Sequence, residues 1–377
     1  MRFSIQGYLF REMLSTVSKA VESKPVLPIL DCIRFDVGGE QLSLTASDTA
    51  VTIRCSRTLS CPEEGEFRPF CVSFKDLKET LKGLSTELTF DTDCESRVTV
   101  TWNEGEVRLP ALTTVDWPAD PDIGKGASEA TLTGSSVKEA IGLVDHAVSK
   151  DETRPAMCGI RFEFFGDRLE IVASDAHILA IAGVPGVKSR KAFGITVRGK
   201  VAQCFRKMFP GSPVRLRAGK EWAEFSSGKD LLVFRLIEDA YPNYRSVLPA
   251  WSSFTSTATV ERAALMTVLG RIGACSSVSR LTRLSLSDGS AVLSAQDLAR
   301  AVMGEEGLPC ELEGDKMDIG FNAERLYQVL ENLPCVRVTF LMRDPKSGAV
   351  IRPEDFDDSK ENVMALLVPM MLNEPQD

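Results

Sequence analysis

The chain has 377 residues, 44% of them hydrophobic and 26% charged, with a formal net charge of −9. That length exceeds one ordinary domain and fits two or three, and the balance is that of a soluble globular protein. Net acidity argues against a protein that simply coats nucleic acid, while leaving room for a local basic face.

The start, "MRFSIQGYLFREML", lacks a long apolar core followed by a small-residue cleavage site, so no signal peptide is expected. No apolar run approaches the roughly 20 residues of a membrane span. Phe10, Met13, Leu14, Val17 and Val21 recur at helical spacing and predict an amphipathic helix. Strands follow at "CIRFDV", "QLSLTASD" and "AVTIRC", with a turn at "GGE". A second helix is read at "SFKDLKETLKGL", with Ser73 as its N-cap. The alternating runs "ELTFDT" and "RVTVTW" come next, then a Pro- and Gly-rich linker, "DWPADPDIGKGASEA".

The same order then repeats. Val137, Ile141, Val144 and Val148 mark a helix, followed by "CGIRFEF", the turn "GDR", "LEIVASD" and "HILAIAGV". A helix at "RGKVAQCFRKMF" and strands at "PVRLRAG" and "WAEFSS" complete the unit, and "LPAWSSFTSTA" links it onward. A third cycle has Leu265, Val268, Leu269 and Ile272 on a helix, then "RLSLS", "DGS", "AVLSAQD" and "ARAVMG". It closes with the helix "NAERLYQVLENL", capped by Asn322, and the strands "VRVTFLM" and "VMALLVP". The carboxylates of "RPEDFDDSKEN" read as a solvated loop.

Asp48, Asp175 and Asp297 occupy the same slot in the three cycles, about 120 residues apart. This bears on "ASDAHILA", where Asp175 and His177 could be taken for catalytic partners. A carboxylate recurring at a strand-ending turn is better explained by hydrogen bonds to nearby backbone N–H groups. A hydrolase using Asp175 and His177 would need a nucleophile that no motif supplies. The ten cysteines are scattered with no C-x-x-C pair, which disfavours zinc and fits reduced thiols. No metal or cofactor is expected.

The motifs "SKPVLPIL", "TRPAMCGIRFEF", "ASDAHILA", "YPNYRSVLP" and "VPMML" stand in the order found in bacterial DNA polymerase III β subunits, the sliding clamps. The chain resembles that family over essentially its whole length. The resemblance implies an α+β fold of three repeated clamp-type domains, at residues 1–125, 126–252 and 253–377. Each has two helices packed on antiparallel sheets, and two chains close head to tail into a dimeric ring. It implies a cytoplasmic, non-catalytic processivity factor that encircles double-stranded DNA without reading its sequence. Its partners would be the polymerase subunit of DNA polymerase III, the clamp loader and other proteins with clamp-binding motifs, with no membrane involved. The alternative is a clamp-like peptide-binding scaffold that does not encircle DNA.

Helices lining such a ring should be basic opposite their apolar stripes. Arg11, Lys19, Lys75, Lys78, Lys82, Lys138, Arg206, Lys207, Arg262, Arg271 and Arg325 have that placement, although Lys and Arg on a helix face are often merely solvated. The expected DNA-binding set is Lys24, Lys82, Arg198, Lys200 and Lys207. Where many relatives have aromatic residues after the Arg of "TRPAM", this chain has Pro155 and Ala156.

Pro369 cannot donate to a sheet ladder, so the last strand should end there and leave Met370, Met371 and Leu372 partly exposed. Flexible thioethers suit a pocket that takes many peptides. Carried over residue by residue, the family's partner-peptide pocket falls on Met157, Ser174, Ala176, His177, Ile178, Leu179, Pro242, Ser246, Val247, Leu366, Val368, Pro369, Met370, Met371 and Leu372. Ile178 and Met371 stand where many relatives carry Arg, and Ala176 where Gly is usual, which implies a more apolar pocket. Residues 373–377 extend past the family's usual end.

Overall fold

The computed structural model describes residues 1–22, 24–60, 68–211, 213–356 and 363–372. Among them the 3.6-residue apolar period produces six helices. These are α1 (Gly7–Val17), α2 (Phe74–Thr80), α3 (Gly134–Val144), α4 (Gly199–Met208), α5 (Arg262–Gly273) and α6 (Ala323–Glu331). The expected apolar stripes are the buried faces: Phe10, Met13, Leu14 and Val17 in α1, and Leu265, Val268, Leu269 and Ile272 in α5. Ser73 caps α2 by accepting from Asp76 N at 3.3 Å, and Asn322 caps α6 by accepting from Arg325 N at 3.1 Å.

Two expected helix ends are corrected in the same way. The stripes were extended to Val21 and Val148, yet 3₁₀ turns at Ser18–Ala20 and Asp145–Ala147 close α1 and α3 before them. Val21 and Val148 are extended and donate back to Ser18 O and Asp145 O. Such tightening satisfies terminal carbonyls that a continuing helix would have used. The linkers are also shorter than read. Ser128–Thr133 and Ser256–Glu261 are strands, and Trp251–Ser253 is a 3₁₀ turn. Part of the acidic loop, residues 357–362, lies outside the described residues.

The chain forms two compact units, Met1–Ser135 with Lys200–Leu236, and Ser136–Gly199 with Ile237–Asp377. The first has a four-stranded antiparallel sheet in the order Arg2–Gln6, Glu87–Thr92, Arg97–Trp102, Gly105–Pro110. In its larger sheet, Asp230–Arg235 pairs antiparallel with Val51–Thr58, so strands from two sequence cycles share one ladder. Its core is rich in aromatic pairs, including Phe3–Phe90 at 5.0 Å, Phe35–Phe70 at 4.9 Å and Phe205–Phe225 at 4.7 Å between ring centroids. Each such pair adds about 0.5–1.5 kcal/mol beyond its burial.

The second unit is built on one 12-stranded sheet. Its centre joins the middle and last cycles: Ile178–Val184 pairs antiparallel with Val363–Leu367. The strand expected at "ARAVMG" runs much further, Val302–Gly314, and pairs first with Gly289–Asp297 and then with Ser256–Glu261.

Candidate partner-binding and DNA-facing sites

The three aspartates make one structure three times. Asp48 Oδ1 accepts from Ala50 N at 2.9 Å and Val51 N at 2.6 Å. Asp175 Oδ1 accepts from His177 N at 2.8 Å and Ile178 N at 2.7 Å. Asp297 Oδ1 accepts from Ala299 N at 3.0 Å and Arg300 N at 3.2 Å. Each second oxygen meets a cation: Lys200, Arg325 at 3.7 Å, and Arg300 at 2.7 Å. A carboxylate occupied on both oxygens closes a turn and is poorly placed to act as a base.

The first two turns also share backbone strain. Thr49 and Ala176, each directly after the Asp, have φ of 71° and 73°. The left-handed region costs a residue with a Cβ on the order of 1 kcal/mol. Ala176→Gly should therefore raise stability by roughly 0.5–1 kcal/mol. Denaturant melts check this; a lower midpoint would show that Ala176 contributes packing that outweighs its strain.

The tail is seated next to the middle turn. Leu366 and Leu367 lie opposite Leu179 and Ile178 in the ladder. Val368 N donates to His177 O at 2.9 Å, and the strand stops at Leu367, ahead of Pro369 as expected. Met370 N then donates to Gly320 O at 2.7 Å. A Cβ at position 320 would lie 2.5 Å from Met370 O and 2.9 Å from Leu372 Cδ2, so glycine is what lets the tail approach. Sequence reading passed over Gly320, although a glycine inside the strand Met317–Asn322 is itself a sign of close backbone approach.

Of the expected pocket residues, Ala176, His177, Pro242, Ser246, Val247, Val368 and Met371 are exposed. Ser174, Pro369, Met370 and Leu372 are half-buried. Met157, Ile178, Leu179 and Leu366 are buried, Ile178 to 1% exposure. Of the apolar wall expected at Met157, Ile178, Leu179 and Val247, the first three are core in this structure and Val247 is exposed. Leu179 and Leu366 cluster with Tyr244, which anchors the 241–248 segment over them. Ile178, pointing the opposite way from Leu179 along the strand, cannot make the open surface more apolar.

The cationic candidates differ in how free they are. Lys24 and Lys82 are exposed in the first unit, and Arg198 is exposed in the second. Lys200, expected as a DNA contact, is ion-paired to the largely buried Asp48 carboxylate. Lys207 donates to Ser15 O at 2.6 Å and Ser15 Oγ at 2.7 Å. Burial, with the nearby Lys19 charge, pushes its ammonium pKa below the usual range. In the last cycle, Arg262 donates to Cys335 O at 2.7 Å and Leu330 O at 3.0 Å, and Arg271 is paired with Glu306. Arg262 thereby ties α5 to the end of α6, while Arg271 is engaged in a surface ion pair. Among the described residues, no three His, Cys, Asp or Glu side chains gather as a metal site requires. No helix among them is long and apolar enough to cross a membrane.

One α+β module made three times, with an apolar tail seated on the middle copy's turn, defines a clamp-type protein. Models of the DNA polymerase III beta subunit match in order: the N-terminal domain at residues 1–121, the central domain at 131–243 and the C-terminal domain at 245–367. The chain belongs to this family. It is 26% identical over 367 residues to the beta sliding clamp of Synechocystis sp., covering 90% of this chain and 92% of that one. Against the beta sliding clamp of Pseudomonas aeruginosa it is 26% identical over 372 residues, covering 97% and 100%. A crystal structure of the Pseudomonas aeruginosa clamp bound to griselimycin superposes with a TM-score of 0.91 at 25% identity, covering 99% and 100%.

Proposed function

We propose that two copies of this chain close head to tail into a ring around duplex DNA. The ring holds the DNA polymerase III polymerase subunit, the clamp loader and other proteins with clamp-binding motifs through its tail pocket. The observation that carries this reading is the threefold module, matched nearly end to end by models of one family. A ring retains DNA by topology, so a chain of charge −9 needs only local cations on the face that meets phosphate. Lys24, Lys82, Arg198 and Lys207 are the contacts we assign, with Lys200 joining only on leaving Asp48. The family is a non-catalytic processivity factor, so Asp175 and His177 carry no proton-transfer duty. The domains are taken as 1–125, 126–252 and 253–377, and the working compartment as the cytoplasm.

Light scattering should give about twice the 41.3 kDa chain mass. Protein placed on circular DNA by a bacterial clamp loader should stay bound, and should run off once the DNA is linearised. Lys24→Glu with Arg198→Glu should leave retention on the circle intact but slow loading and lower processive synthesis, more at low salt than at high salt. A monomer at micromolar concentration, or equal loss from circular and linear DNA, would favour the scaffold that encircles nothing.

A further inference from the structure

A second groove lies in the Ser136–Gly199 and Ile237–Asp377 unit, apart from the tail pocket. It has a volume of about 330 Å³, within the usual range for ligand clefts. Its floor is Ile181, Val350, Met364 and Leu248. Ile181 and Met364 face each other across the same two strands that place Leu179 opposite Leu366. The groove is therefore the next same-face position along the ladder that carries the tail, about 7 Å further on. The 3₁₀ turn Tyr244–Val247 stands between the two: Ser246 and Val247 belong to the tail pocket, while Arg245 lines the groove.

The charges in the groove are unbalanced. Its lining carries two guanidiniums, Arg168 and Arg245, against one carboxylate, Glu170. Both arginines are held on Glu170, which also accepts from Tyr244 Oη at 2.8 Å. Both also stack on Phe165, at 5.1 and 4.9 Å from its ring centroid. Two like charges fixed beside a single counter-charge favour a second carboxylate. Trp251, 49% exposed on the rim, offers an apolar surface to whatever enters.

We infer that this groove takes the flank of a docking peptide whose core sits in the tail pocket, and that it selects an apolar residue next to an acidic one. The inference rests on the tail-pocket reading. Two or three extended residues span the distance between the sites.

The test uses the full-length protein and fluorescence anisotropy. One probe is a fluorescein-labelled pentapeptide of Leu and Phe. The others carry Asp-Leu-Glu added at the N- or C-terminal end, or Lys-Leu-Lys at the same ends. One acidic extension should tighten binding roughly tenfold, and the basic ones should not. Arg168→Glu and Trp251→Glu should each abolish the gain and leave the pentapeptide's affinity unchanged. Equal affinities for the short and extended probes overturn the inference and leave the tail pocket standing. A gain that survives both substitutions also overturns it. If no probe binds, the tail-pocket reading falls as well. Binding of an acidic probe without pentapeptide binding, lost in Arg168→Glu, overturns the inference as well, because the groove would then act without the tail pocket.

Discussion

Deleting residues 370–377 should lower affinity for an apolar docking peptide by about two orders of magnitude. Met370 and Leu372 are half-buried and Met371 is 65% exposed, so all three have surface left to bury. Covering one Met or Leu side chain fully is worth roughly 1.5–3 kcal/mol. Three partly covered groups, discounted for non-additivity, leave about 3 kcal/mol. The deletion also removes the Met370–Gly320 backbone bond, so a second variant separates the tail's contacts from its anchoring. In Gly320→Val the tail is present, but a Cβ 2.5 Å from Met370 O forces it away. Gly320→Val should weaken the peptide substantially while the dimer mass holds. Wild-type affinity in both variants, with both still dimeric, would remove the tail from the site.

The repeated carboxylate turn is legible in the sequence because its chemistry is local: Asp48, Asp175 and Asp297 bond N–H groups two and three residues on. The caps at Ser73 and Asn322, and strands such as Glu87–Thr92 and Arg97–Trp102, are local in the same sense. What escapes is decided by partners far along the chain. Lys200 reads as a free cation until Asp48, 152 residues away, is found beside it. Ile178 reads as surface because its neighbours His177 and Ala176 are, yet the strand ending at Leu367 covers it. Strands such as Ser256–Glu261 carry few large apolar residues, and their place comes from pairing on both sides. The compact units likewise cut through the middle cycle, since a ladder joins strands without regard to repeat boundaries.

The second large effect should appear on acidification. His146 lies in the 3₁₀ turn after α3, and neither ring nitrogen has a hydrogen-bond partner among the described residues. Burial pushes its pKa down to about 4 from an ordinary 6.5; the Leu143 backbone, close by but outside good hydrogen-bond geometry, and the Asp175 carboxylate offset only part of that. The native state therefore binds fewer protons than the unfolded chain between those values. Stability should be full above pH 6.5, fall as pH drops towards 4, and then lose nothing further from this group. The shift corresponds to about 3 kcal/mol at its full extent. Asp93 and Asp344 are held below the usual carboxylate range by hydrogen bonds from Ser96 and Ser347, so their contribution is lost at lower pH. His146→Leu removes the titration and both unpaired nitrogens. It should be at least as stable as wild type at pH 7 and nearly flat down to pH 4.5. Urea midpoints across this range, at fixed protein concentration, make the comparison. The same acid slope in both proteins would assign the loss to other groups and leave His146 without a role in it.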